Sequence, residues 1–70
     1  MPIIVAPTGK KFLVIKIAAC DKIKKHLENL GITVNSEIEV ISRSGGNVIC
    51  LIKDCRIALD SNLATKILIA

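Results

Sequence analysis

Apolar positions recur along this chain with two different periods, and the periods change at Gly and Asn punctuation. The run Lys-Phe-Leu-Val-Ile-Lys-Ile from Lys11 to Ile17 follows the breakers Pro7 and Gly9 and is rich in β-branched residues, so it reads as a strand. Alternation assigns Leu13, Ile15 and Ile17 to one face, the expected core side, and Phe12, Val14 and Lys16 to the other. From Asp21 the period lengthens: Ile23, Leu27 and Leu30 stand at i, i+4 and i+7, with Lys24, Lys25 and Glu28 off the stripe, which predicts a short amphipathic helix. Asp21 is its expected N-cap, because a short carboxylate accepts from free N–H groups of the first turn. Gly31 is its expected stop, supplying a left-handed residue, and Ile32 follows where a contact back onto the last turn is common.

Beyond a turn at Asn35 and Ser36, period two returns. Glu37 to Val40 alternates strictly, with Ile38 and Val40 pointing in. Gly45, Gly46 and Asn47 form a predicted hairpin tip, and Val48 to Ile52 the returning strand. A second tight turn at Asp54 and Cys55 leads into a strand from Arg56 to Leu59. Asp60 or Ser61 caps a single helical turn through Leu63 and Ala64, and Ile67 and Ile69 alternate in a closing strand. About five short antiparallel strands cannot leave long edges open in so small a domain, so the expected architecture is mainly β, a small barrel with one inserted helix and a short C-terminal helical turn.

Length makes this one domain, residues 1–70, too short for a second core. Half the residues, 51%, are apolar and only 1% aromatic, an aliphatic-rich composition that excludes disorder. The longest uncharged stretches, Met1 to Gly9 and Ser44 to Ile52, fall well short of the roughly 18–20 residues of a membrane-spanning helix, so no direct membrane insertion is expected. No basic segment precedes the first apolar run, so secretion is not signalled. Three cysteines at spacings that match no disulfide scaffold suit a reducing compartment, and the expected location is cytoplasmic.

The net charge of +4 is front-loaded, with Lys10, Lys11, Lys16, Lys22, Lys24 and Lys25 early in the chain. Such a distribution suits phosphate backbones, anionic surfaces or an acidic protein partner, or simply a solvated face. Catalysis finds little support: the single histidine, His26, sits on the predicted helix with no patterned carboxylate or nucleophile, so no enzyme activity and no catalytic residue is expected. Cys20, Cys50 and Cys55 form no metal-ligand spacing with it, and Cys50 alternates with Val48 and Ile52 as a small hydrophobe would; neither a metal site nor a cofactor is expected. Glycine-rich phosphate loops are absent, the Gly45-Gly46 pair lying at a hairpin and not before a helix. Single-strand nucleic-acid binding relies on aromatic platforms and only Phe12 is available, so nucleic acid is not the expected partner.

The more informative feature is a surplus of aliphatics. With Leu13, Ile15, Ile17, Ile38, Val40, Val48, Cys50 and Ile52 turned inward, Phe12, Val14, Ile41, Ile49 and Leu51 are left facing out. Clustered, they make a protein-interaction surface. A bulge or the helix covering some of them is the other reading.

The block Leu27-x-x-Leu30-Gly31-Ile32, the hairpin strand pair, the segment Lys53-Asp54-Cys55-Arg56-Ile57-Ala58-Leu59 and the closing Ala64-x-x-Ile67 together resemble the ferrous iron transport protein A family, FeoA. Similar modules form the C-terminal SH3-like domain of iron-dependent repressors. Lys24-Lys25-His26-Leu27-Glu28-Asn29-Leu30-Gly31 matches the family's basic helix, whereas Val34-Asn35 replaces its Pro-Gly and Asp54-Cys55 its Gly-Tyr. The resemblance implies an SH3-like barrel and a cytoplasmic, non-enzymatic accessory of bacterial ferrous iron uptake. Its implied partner is the cytoplasmic part of the transporter FeoB, with self-association into a homo-oligomer also open. Lys24, Lys25, Leu30 and the strip Phe12, Val14, Ile41, Ile49 and Leu51 are the expected contact residues. Two other readings remain: a stand-alone regulatory, metal-binding domain like that of the repressors, and a small nucleic-acid-binding barrel.

Overall fold

A computed structural model describes residues 1–70. After a 3-10 turn at Ile3–Val5, strand β1 (Lys11–Ile17) leads into helix α1 (Asp21–Asn29), then β2 (Glu37–Ser44), β3 (Asn47–Ile52), β4 (Cys55–Leu59), helix α2 (Ser61–Lys66) and β5 (Ile67–Ile69). The strands form one antiparallel sheet in the order β4-β3-β2-β1-β5. The mainly β, barrel-like architecture with an inserted helix expected above is the one observed.

The β2–β3–β4 meander follows the alternation. Ile38 and Val40 of β2, Val48, Cys50 and Ile52 of β3 and Leu59 of β4 are all buried. Both hairpins turn on two residues with positive φ. Gly45 and Gly46 make the first, and Asn47, expected at the tip, already pairs with Ser44. Lys53 (φ 48°) and Asp54 (φ 65°) make the second, one residue earlier than expected, and Cys55 opens β4 opposite Ile52. Such left-handed pairs match the twist of the strands they join.

The β1 side departs from the alternation, and here the expected core is corrected. Leu13 and Ile15 are 41% and 47% exposed, whereas Val14, expected outside, is 0% exposed. The cause is a change of partner within one strand. Lys11–Leu13 pairs with β2, putting Phe12 opposite buried Ile38, and from Val14 onward the strand pairs with β5, with a bulge between Val14 and Lys16. The extra residue shifts the phase, so Val14 and Ile17 both point inward while Lys16 stays in solvent. A strand without a bulge that buried Val14 would also bury Lys16, at a cost in lysine desolvation.

Helix α1 ends as its sequence indicates. The Ile32 N–H donates to the Leu27 carbonyl at 2.9 Å and the Gly31 N–H to that of Glu28 at 2.9 Å, with Gly31 at φ +92°. This is the paired-bond arrangement of a glycine-terminated helix. Its start differs from expectation: Cys20 occupies the N-cap with no side-chain bond, and Asp21 is the first helical residue, near the positive end of the dipole. Asp60 does cap α2, accepting from the Leu63 N–H at 2.8 Å, and α2 runs longer than a single turn.

The core holds fifteen buried residues, every one aliphatic apart from Cys50. Ile3 and Ala6 belong to it, so the N-terminal segment is structural. Met1 and Ile69 exchange main-chain hydrogen bonds at 2.9 and 2.7 Å, which covers the outer edge of β5. A second bulge, between Val40 and Ser42, turns Ser42 outward and lets Arg43 reach the end of the barrel. There its Nε and Nη2 donate to the Ile4 carbonyl at 3.1 and 3.0 Å, and Nη2 also to that of Ala6. The guanidinium thereby caps carbonyls that the 3-10 turn leaves free.

Candidate interaction surface

The two faces of the β2–β3–β4 meander have different chemistry because β3 alternates apolar residues with apolar residues. Val48, Cys50 and Ile52 enter the core, and Ile49 and Leu51 lie on the opposite face, half-buried and not packed against the core. Cross-strand pairing sets their neighbours. Ile49 stands between Ser42 and Ala58, and Leu51 between Glu39 and Arg56, while Glu39 in turn pairs with Lys11. Leu51 thus sits in a transverse row of alternating charge, Lys11, Glu39, Leu51 and Arg56. Ile41, the extra residue of the β2 bulge, is half-buried too and also stands apart from the core cluster. At the β1 end of this face a shallow concavity of about 150 Å³ is lined by Lys11, Glu37, Glu39, Leu51, Lys53 and Asp54.

Of the residues expected to make contacts, Ile41, Ile49 and Leu51 share this outer β2–β3 face. Lys24 and Lys25 are exposed on α1, on a separate element. Phe12 and Leu30 are half-buried and packed against the core, so each offers only part of its surface. Val14 offers none: it is fully buried, and its expected place in an outward strip is corrected.

Exposed apolar residues outside the expected strip include Leu13 and Ile15, which alternation placed in the core, and Val34, 51% exposed. Ile15 and Val34 line a groove between β1 and α1 together with Lys16, Ile17, Lys24 and Glu28. One signal in the sequence pointed there. Lys16 lies at the period-two spacing from Val14, so Val14 can enter the core only if the strand breaks phase between them.

Titratable chemistry is sparse. Burial pushes the Cys50 thiol up to about 11, partly offset by the positive charge of Arg43. The thiol is therefore neutral across the physiological range and packs as a small hydrophobe. Cys20 and Cys55 are exposed and free. No three His, Cys, Asp or Glu side chains converge where a metal ion could be held. No helix is long and apolar enough to cross a membrane.

Comparison with known proteins gives these surfaces a context. The FeoA domain profile matches residues 1–70. A crystal structure of an iron uptake regulatory protein, FeoA, superposes with a TM-score of 0.90 at 24% identity, covering 100% of this chain and 93% of that one. The zinc complex of Stenotrophomonas maltophilia FeoA, described as a prokaryotic SH3 domain protein, gives 0.85 at 20% identity over 100% of this chain and 89% of that one. A manganese-dependent transcriptional repressor gives 0.90 at 20% identity, this chain spanning 40% of it. No curated protein matches the chain. At these identities the structural likeness establishes the SH3-like fold, and the profile covering the full length establishes the family: the chain belongs to the FeoA domain family.

Proposed function

We propose that this protein is a non-enzymatic accessory of ferrous iron uptake, acting in the cytoplasm by docking on the cytoplasmic part of a FeoB-like transporter. The observation that carries this reading is the apolar outer face of β2–β3, where Ile41, Ile49 and Leu51 are half-buried without packing on the core. Aliphatic side chains at the centre of a docking patch supply affinity, and a charged surround sets orientation. Lys11, Glu39 and Arg56 provide such a surround along the Leu51 row. Lys24 and Lys25 on α1 add positive charge that speeds encounter with an acidic partner. Family membership supports the iron-uptake assignment and its choice of partner.

Titration calorimetry with the transporter's cytoplasmic domain tests the proposal. Saturable binding is expected, abolished by Ile49→Asp or Leu51→Asp in variants whose circular dichroism is unchanged. Lys24→Glu and Lys25→Glu should chiefly slow association and weaken its salt dependence. Absence of binding at several hundred micromolar folded protein overturns it. The likeness to the manganese-dependent repressor favours a second reading, a stand-alone regulatory domain. That reading requires ferrous or manganous ion binding in the absence of any transporter.

A further inference from the structure

Where β1 parts from β2, the backbone itself becomes a binding group. Leu13 exchanges both of its main-chain hydrogen bonds with Ala70, and Val14 turns its own to the opposite side, donating to the Ser36 carbonyl and accepting from the Asn35 N–H. Past the bulge at Ile15, the Ala18 N–H donates to the Lys66 carbonyl and Ile17 stands opposite Ile67. In an antiparallel pair the bonded and non-bonded positions alternate, so the N–H and C=O of Ile17 face away from β5, toward the space that β2 has left. No loop or turn group of the chain bonds to either of them. One donor and one acceptor of this extended residue are therefore without a partner on β5 or in any loop.

Ile17, itself 7% exposed, lines the groove between β1 and α1, which has a volume of about 480 Å³. That lies within the roughly 300–1,000 Å³ of ordinary ligand sites. Ile15 and Val34 present apolar surface in it, 47% and 51% exposed. Lys16 and Lys24 line it against a single acid, Glu28, and Lys22 and Lys25 add to the positive charge of the same helix.

We propose that this groove binds an extended acidic peptide segment of a partner protein by strand addition to β1 at Ile17. A free N–H and C=O on one strand residue are what an added antiparallel strand takes up. Alternate side chains of the segment then divide between two environments. An apolar one rests on Ile15 and Val34, and a carboxylate lies within the field of Lys16 and Lys24. The excess of lysine over Glu28 decides the sign of the partner. This site is separate from the outer β2–β3 face and holds whichever protein supplies the segment, so its failure leaves the docking of that face standing.

The test is an amide-resolved NMR titration of the full chain with a short end-blocked peptide of alternating glutamate and valine. Two companions are a lysine-for-glutamate version and the acidic peptide N-methylated on its backbone amides. The acidic peptide should shift the amides of residues 15–17 and Val34, with affinity reduced about tenfold or more by Lys24→Glu and by N-methylation, and the basic version should not bind. Shifts confined to Ile41, Ile49 and Leu51, equal response to both charge versions, equal binding of the methylated peptide, or no response at millimolar concentration overturns it. Ile15→Asp, at an exposed position, is a second variant that should weaken binding without unfolding the domain.

Discussion

The β2–β3–β4 meander and the β1–β5 side of the sheet are built from similar aliphatic residues yet present different surfaces. In the meander, strands follow one another through two-residue hairpins, alternation runs from Val48 to Ile52 without interruption, and β3 is paired on both sides, with β4 as the outer strand. On its outer face a partner meets side-chain surface, Ile41, Ile49 and Leu51. On the other side, β1 is shared between two neighbours distant in sequence and must bulge to satisfy both. There a groove beside α1 is lined by Ile17 together with the exposed Ile15 and Val34. The bulge of β2 lies within a continuous β2–β3 pairing and leaves an apolar face, whereas the bulge of β1 accompanies a change of partner and leaves a groove.

The largest expected effect breaks the symmetry that alternation alone would impose. Ile38→Ala, in the buried face of β2, should cost about 2–5 kcal/mol, whereas Ile15→Ala should cost less than about 1 kcal/mol, measured by chemical denaturation. Comparable losses would mean that Ile15 is a core residue and that β1 carries no bulge in solution.

Next comes the titration of Cys50, which reports how tightly the meander closes over β3. Its thiol is raised from the ordinary 9.0 to about 11, so the folded state holds the proton more firmly than the unfolded chain. The stabilisation is complete below pH 9 and is lost as pH rises toward 11, at up to about 1.4 kcal/mol per pH unit. Cys50→Ala should remove that part of the alkaline slope. In alkylation at pH 8, Cys20 and Cys55 should react in the native protein and Cys50 only after unfolding.

Gly31 joins α1 to the sheet, and its effect is smaller. At φ +92° any side chain is strained, while an added Cβ would meet the Ile52 Cγ2 at 3.4 Å, an ordinary contact. Gly31→Ala should therefore cost about 1–2 kcal/mol from backbone conformation alone.

The smallest pair sharpens the contrast between the two helix starts. Asp60→Ala removes the bond to the Leu63 N–H and should cost about 1 kcal/mol. Asp21→Ala removes only a charge in the first turn of α1 and should cost a few tenths of a kcal/mol at low ionic strength. Equal losses would show that Asp21 serves as the cap.

Much of this architecture was legible in the chain because its causes are local. The cap at Asp60, the stop at Gly31, the left-handed turns at Asn35 and Asp54, and the buried faces of β2 and β3 each depend on residues within a few positions of one another. The apolar outer residues of β3 could be read for the same reason: a strand apolar at every position must turn some of them outward. Their use as a docking face is a proposal that tertiary structure sharpened by withdrawing Val14 and by packing Phe12 and Leu30 on the core.

By itself the sequence determined a mainly β fold, its order of strands and helices, and the likeness to FeoA proteins. Only the tertiary structure decided the phase of β1, the N-terminal segment's place in the core and Arg43's reach to it, and the groove beside α1. Each of these depends on partners far apart along the chain: β1 meets β2 and β5 at once, and Arg43 meets carbonyls almost forty positions earlier. Periodicity records which face a strand buries only while the strand keeps one register, and a single extra residue, Ile15, reverses that record for all that follows.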